Sequence, residues 1–458
     1  VTETRDLTTG SIPGHFRQMA MPIAIGMVFT TLYNVVDSYF AGLISTDALA
    51  GLTVSFTVFF MLISFGFGLN SALGALVGSA IGARQTAQAR QLACQGLVYA
   101  GIVSAVMMGV GYLTAPVLVQ AVSDPGGFRD LAIAYLHVLM LAAPTFLMAF
   151  AANGVLSAQG DAVSMQRAQI GAFVANIALN PLMIFGIPGI FPALGFNGIA
   201  LSTLTSQSGV MFYILWRLLR SELLARCPRD CFWPRLRAFR DITALALPTA
   251  SSMIIMLIGT FVVQLFLRDF GPDAVAAYGI GLRIEQMLLL PGLGLTIALL
   301  PIAAQNIGAG DFDRVREAFA FCCKAGLVLM LAAACLLWFA ARPAMSIFTA
   351  DPDVIRIGGN YLNVDGFILP FYLLLFAMNS LLQAMMRPMI TLWIGICRQG
   401  LGIALFCALF VLVLEFDTWG VWFGIAASVL TGFGLALFLT IRIARQEIGG
   451  LIRRPAVS

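Results

Sequence analysis

The sequence predicts an all-α integral membrane protein with 12 transmembrane helices in two parallel six-helix repeats. Three observations predict it. First, 60% of the 458 residues are hydrophobic and only 10% are charged, whereas a soluble domain carries roughly 25% charged residues. Second, the apolar residues form long runs, most exceeding the about 20 residues that cross a bilayer as a helix. They do not alternate residue by residue, as barrel strands would. Third, the two halves superpose at a constant shift of 226 residues.

The opening VTETRDLTTGSIPG is polar and lacks the basic and apolar regions of a signal peptide. A short tail, 1–14, is therefore expected before a retained first helix. Apolar runs between polar breaks then give spans at 15–41, 47–80, 92–120, 131–157, 163–186, 195–219, 241–267, 273–306, 318–344, 357–384, 389–414 and 419–443. They group into an N-lobe at 15–220, a linker at 221–240, a C-lobe at 241–445 and a C-terminal tail at 446–458. Several runs exceed the bilayer minimum, so tilt is expected. Pro22, Pro144, Pro181, Pro248, Pro291, Pro301 and Pro370 are expected kink sites.

Basic residues set the orientation. Loops after even-numbered spans carry Arg84, Arg90, Arg167, Arg314, Arg316 and Arg387, and the stretch 216–241 alone holds seven arginines. Loops after odd-numbered spans carry Arg129, Arg268, Arg342 and Arg356, mixed with acids. Both termini are expected in the cytoplasm, in a bacterial-type inner membrane. The arginine-rich stretch reads as a linker touching anionic lipid headgroups, not a nucleic-acid surface.

The repeat is carried by short matches at that one shift. Ala20-Met21-Pro22 meets Ala246-Leu247-Pro248, Asp47-Ala48 meets Asp273-Ala274, and Gly66 and Gly68 meet Gly292 and Gly294. Tyr135, Pro144 and Asn153 meet Tyr361, Pro370 and Asn379, and Gly198-Ile199-Ala200 meets Gly424-Ile425-Ala426. Six spans is an even number, so both halves have the same orientation. That implies a pseudo-two-fold along the membrane normal, with two bundles facing a central cavity.

Several function classes are disfavoured. No HExxH, GxSxG or GxxxxGK[ST] motif occurs, so neither an enzyme nor an ATP-driven pump is expected in this chain, and no cofactor. Eight cysteines are scattered. Cys227 and Cys231 have CxxxC spacing without a second pair or a nearby His, so they read as small buried thiols and no metal site is expected.

Residues shared between repeats report on the scaffold, so unshared polar residues are the functional candidates. Asp37 meets Val263, Glu285 meets Phe59 and Asp365 meets Leu139. A carboxylate at the centre of a spanning helix costs about 2.5–3.5 kcal/mol on insertion scales and commonly marks an ion pathway. Tyr33, Asn34 and Thr30 lie four, three and seven residues before Asp37, which predicts a polar stripe. Asn176 and Asn180 stack on one face of the fifth span, and Pro181 leaves the Ile177 carbonyl without its helical donor. Asn153 has small neighbours that permit close approach. For each asparagine, interhelical hydrogen bonding alone is the other reading. Glu285 is open between a transport role and a structural ion pair, and Asp365, close to the expected extracellular end, between function and simple solvation. Arg398 could partner either acid.

NVVDSYFAGLISTDALAG, NIALNPLMIFGIPGIFPALGFNGIALST and LLLPGLGLTIALLPIAAQNIGAGDFDRVR together resemble the multidrug and toxic compound extrusion (MATE) transporters over nearly the whole chain. The resemblance implies two six-helix lobes in a V shape around the central cavity. It also implies secondary active efflux of amphipathic, often cationic, drugs driven by inward H⁺ or Na⁺. It assigns the coupling acid to Asp37, joined by Asn153, Asn176, Asn180 and Thr203. Some members carry an Asp where this chain has Asn180, and others an acid on the seventh span, where this chain has only Gln264. Coupling through the N-lobe is therefore expected, by H⁺ first and by transient Na⁺ at Asp37 as the alternative. Tyr33, Asn34, Glu285, Gln264 and Asp365 are the expected substrate-cavity residues. The expected partners are small drugs and membrane lipids, with no nucleic acid, and the chain is expected to be a monomer.

Two rivals share parts of this pattern. A lipid-linked precursor flippase would need several basic side chains for a pyrophosphate, and the spans offer only Arg283 and Arg398. An ion channel would show repeated rings of acids, and the acids here are unpaired across the repeat.

Overall fold

A computed structural model of the chain describes residues 5–122, 127–189, 192–225 and 227–451. Arg226 lies outside them. The helices are α1 (Ile12–Ile44), α2 (Thr46–Gly82), α3 (Thr86–Val122), α4 (Gly127–Leu141), α5 (Ala143–Ala158), α6 (Val163–Phe185) and α7 (Phe196–Leu219). There follow α8 (Leu236–Arg268), α9 (Pro272–Gly308), α10 (Phe312–Ser346), α11 (Pro352–Ala384), α12 (Pro388–Gly395), α13 (Ile403–Ala408) and α14 (Thr418–Glu447). Among the described residues, eleven continuous segments are long and apolar enough to cross a membrane; α4 and α5, bent by 45° at Ala142, make the twelfth. That break falls two residues before Pro144, which sits in the first turn of α5 where its missing N–H costs nothing. The eleventh span is one run, Pro388–Val413, in which π-helical turns at Ile396–Gly402 and Leu409–Val413 flank α13.

Local chemistry explains the helix starts. Ser45 accepts the Ala48 N–H at 3.0 Å before α2, and Asp311 accepts the Arg314 N–H at 3.1 Å before α10. Asp351 accepts two N–H groups at the start of α11. The repeated Asp-Ala pair is of the same kind: Asp47 and Asp273 lie in the first turns of α2 and α9, against the positive ends of the helix dipoles.

The helices form two compact units, one built on Ile25–Ala250 and the other on Leu7–Ala24 with Ser251 onward. The sequence-based lobes are thus modified by an exchange at their openings. The first part of α1 packs with the second unit and the first part of α8 with the first. Both divisions fall two residues after a proline, Pro22 and Pro248, at equivalent places in the repeat.

Two pairs of repeated glycines explain the packing. A Cβ on Gly68 would lie 2.3 Å from the Ala246 carbonyl oxygen, and one on Gly294 would lie 2.6 Å from that of Ala20. Each glycine lets α2 or α9 seat the opening segment of α8 or α1, and the contacted alanines are themselves repeat equivalents. Gly198 approaches the Met183 carbonyl and Gly424 the Cys407 backbone in the same way, so α7 and α14 close onto their preceding spans through the same device.

The expected tail at 1–14 is corrected in part: Leu7 is fully buried in the second unit and α1 already begins at Ile12. The Leu7 N–H donates to Gln305 Oε1 at 2.9 Å, Asn306 donates to the Leu7 carbonyl at 3.2 Å, and Arg314 donates to that of Gly10 at 3.0 Å.

Candidate functional site

In the first unit, α1, α6 and α7 converge on Asp37. The carboxylate is only 5% exposed. Asn176 and Asn180 lie four residues apart on α6, so both amides face the same way. Their Nδ2 groups donate to Asp37 Oδ1 at 2.9 and 2.8 Å. Thr203 on α7 donates its hydroxyl to Asp37 Oδ2 at 3.2 Å. Tyr33, one turn before Asp37, shares a hydrogen bond with Ser206 at 2.7 Å, which joins α1 to α7 a second time. Among the described residues, the ion pairs all lie elsewhere, so this acid is held by neutral donors alone.

The two carboxylate oxygens are chemically unlike. Oδ1 meets two amide NH₂ groups, which can only donate. Oδ2 meets a hydroxyl, which can donate or accept. A proton is therefore accommodated at Oδ2 by turning Thr203 from donor to acceptor. The Asn180 Nδ2 also reaches Asn176 Oδ1 at 3.2 Å, while Asn180 Oδ1 is buried without a hydrogen-bond partner. With its Nδ2 on the carboxylate, the Asn180 carbonyl oxygen faces away from Asp37; turning the amide over would set a carbonyl oxygen beside the carboxylate, a donor set that fits a small hard cation such as Na⁺.

Not every expected residue joins this cluster. Asn153 donates to Asn70 Oδ1 at 2.9 Å and ties α5 to α2 instead. Asn34 and Thr30 are exposed, and Thr30 bonds back to the Gly26 carbonyl, so the buried stripe on α1 shrinks to Tyr33 and Asp37. Gln264 on α8 is half-buried. Ser202 and Ser206, which complete the α7 wall, were not singled out by sequence. Their signal was the polar run Ser202-Thr203-Leu204-Thr205-Ser206-Gln207 inside an apolar span.

In the second unit the acids gather differently. Glu285 on α9 accepts the Tyr361 hydroxyl at 2.5 Å. Tyr361 reaches it across Gly281, where a Cβ would lie 2.4 Å from the tyrosine ring. Asp365, one turn beyond Tyr361 on α11, is 1% exposed and both its oxygens lack a hydrogen-bond partner. The solvated-end reading of Asp365 is thus overturned: α11 starts at Pro352, which puts Asp365 more than three turns inside it. Arg398 is buried in the first π-helical turn of its span, with its stem against Gly432 and its guanidinium 5.5 Å from the Tyr372 ring centre. It forms no ion pair with either acid. Arg283 is exposed while Glu285 is buried, as a separation of two residues requires.

Twelve apolar spans in two repeated bundles, with an isolated carboxylate buried in neutral donors, define the class: a multi-pass membrane transporter. The MatE family model matches residues 22–182 and 248–407, one stretch in each repeat, and the chain belongs to that family of multidrug efflux transporters. Among curated relatives, an FAD transporter of Shewanella oneidensis is 28% identical over 83% of this chain and 84% of its own. A probable multidrug resistance protein NorM of Thermotoga maritima is 24% identical over 90% and 89%. The fold superposes on a solved MOP superfamily transporter from Pyrococcus furiosus with a TM-score of 0.89, at 22% identity, over 99% of this chain and all of that one. An outward-facing MATE family multidrug transporter superposes with a TM-score of 0.88, at 24% identity, over 99% of this chain.

Proposed function

We propose that this protein exports small amphipathic, often cationic, compounds by cation antiport and alternating access, with Asp37 as the coupling carboxylate and H⁺ as the favoured ion. The observation that carries the reading is the Asp37 environment: a buried acid with three neutral donors and no countercharge. Such a group can exchange an ion without first breaking a salt bridge. Protonation at Oδ2 reverses the Thr203 hydrogen bond and removes the charge that attracts the two amides, which loosens α1 from α6. Drug and ion then compete through the state of one unit. Na⁺ is the alternative ion, accepted by Asp37 and by the Asn180 carbonyl oxygen once that amide turns over. Asn176 and Thr203 hold the carboxylate in place, and Asn153 acts only through the α2–α5 contact.

Among the described residues, the buried formal charges besides Asp37 are Glu285, Asp365 and Arg398. Two acids against one base suit a cationic cargo better than a dinucleotide or lipid diphosphate, despite the name of the Shewanella oneidensis relative. We assign the cationic end of the substrate to Glu285 and Asp365. Tyr33, Asn34 and Gln264 remain the proposed apolar-polar contacts. The protein acts as a monomer in the inner membrane, with both termini cytoplasmic, and needs no cofactor beyond the coupling ion.

The test is transport of a fluorescent cationic dye in proteoliposomes under an imposed pH gradient, with and without Na⁺. Uptake that follows the pH gradient in the absence of Na⁺ supports H⁺ antiport. Uptake that follows only a Na⁺ gradient replaces H⁺ by Na⁺, and dye movement indifferent to both gradients overturns antiport.

A further inference from the structure

A further side-chain cluster lies at the arginine-rich end of the first unit, where Cys94 supplies the third thiol that the CxxxC spacing of Cys227 and Cys231 did not show. Cys94 sits in the third turn of α3, and Cys227 and Cys231 lie in the connection between α7 and α8. In sequence Cys94 is more than 130 residues from the other two. In space the three sulfurs all lie within 4.8 Å of one another, with Cys94 and Cys227 in direct contact at 3.1 Å. None is in a disulfide. We propose that Cys94, Cys227 and Cys231 bind one soft, thiophilic d¹⁰ metal ion of the Cu(I) type, which fastens the arginine-rich connection to the start of α3.

The geometry suits the ion. Sulfur–metal bonds of about 2.3 Å put three coordinating sulfurs about 3.7–4.0 Å apart, whether the site is trigonal or tetrahedral. The thiols already span that range and need only small rotations. Thiolates alone, without imidazole or carboxylate, select soft ions such as Cu(I), and three ligands complete a trigonal site. A closed structural zinc site would want a fourth ligand, and none of the two histidines is among the group. Cys94 is fully buried, but Cys227 and Cys231 are only half-buried, so an ion can reach them from outside.

The surrounding residues hold the two segments in register. Gln95, fully buried beside Cys94, donates its amide to the carbonyls of Cys231 and Trp233 at 2.7 Å each and accepts the Arg235 N–H at 2.8 Å. Arg90, one turn before Cys94, donates to the Leu223 carbonyl at 2.8 Å. The single turn of 3₁₀-helix at Arg229–Phe232 sets the spacing between Cys227 and Cys231. The ligands are thus positioned by backbone contacts that do not depend on the ion. On the side expected to face a reducing cytoplasm, the thiols are free to ligate instead of pairing as a disulfide.

The experiment is an anaerobic titration of the detergent-solubilised full chain with Cu(I), in competition with a chromophoric Cu(I) chelator. One equivalent per chain should be withdrawn from the chelator. X-ray absorption at the copper edge should show three sulfur neighbours at about 2.3 Å. Cys94→Ser, Cys227→Ser and Cys231→Ser should each weaken binding by more than about 100-fold, and Gln95→Ala by about 10-fold, as loss of an orienting contact does. Replacing the exposed Cys335 and Cys397 by Ser should change nothing. No withdrawal of Cu(I), fewer than three sulfur neighbours in the wild-type spectrum, or full affinity in Cys94→Ser would each overturn the assignment. So would a Cys94–Cys227 disulfide in protein kept under reductant.

Discussion

The two units share a scaffold and differ in their acids. Gly68 and Gly294 seat equivalent alanines, Gly198 and Gly424 close equivalent helix pairs, and Tyr135 and Tyr361 are both buried at equivalent places. In the first unit the acid is on α1, opposite α6 and α7, and three neutral donors hold it. The equivalent residue in the second unit is Val263, fully packed. There the acids are on α9 and α11; one takes a tyrosine hydroxyl and the other takes nothing. Helix packing constrains the repeat, whereas each unit's buried charge is free to differ because no shared contact depends on it.

This comparison can be broken first at the scaffold. Gly68→Val and Gly294→Val should each destabilise by the upper end of about 1–3 kcal/mol, because the added atoms meet backbone that cannot yield. Thermal unfolding in detergent should show matched losses, and a loss in only one unit would end the equivalence. The acids come next. Asn180→Leu removes a hydrogen bond to a charged group, worth about 1.5–3 kcal/mol, and should slow gradient-driven dye transport by about 10- to 100-fold. Asp365→Leu should behave oppositely for stability. An unpartnered buried polar group costs about 1–3 kcal/mol, so its removal should raise the melting temperature, while the affinity for a cationic dye falls. The smallest effect is at Asn153. Asn153→Leu breaks the bond to Asn70, costs about 0.6 kcal/mol as interhelical bonds in membranes average, and should leave ion dependence unchanged.

Spans, repeat and the shared face of Asn176 and Asn180 were legible in the sequence because each follows from a period: apolar length, a constant shift, and helical spacing; that both would join Asp37 was legible only through family resemblance. Thr203 was legible only through family resemblance. Asn153 was misplaced because spacing on its own helix says which face it occupies but not that Asn70 on α2 would meet it first. Asp365 was left open to a solvated reading because Pro352, Asp353 and Arg356 hid the first turn of α11, so a deep position looked terminal. The docking of Leu7 and the meeting of Cys94 with Cys227 and Cys231 depend on contacts between distant segments. No local pattern carries those. The exchange of opening segments had a visible trace, the repeated Ala-x-Pro triplets and Gly-x-Gly pairs, but each half showed only one partner of the contact.

The ion that drives transport is proposed to bind at Asp37. The direct measurement is dye transport in proteoliposomes by the Asp37→Asn variant under an imposed pH gradient, with dye binding measured alongside. The substitution keeps the shape of the side chain and removes its charge. Asp37→Asn should retain wild-type dye affinity and show no gradient-driven accumulation. Accumulation at the wild-type rate, with the same dependence on the gradient, would contradict it.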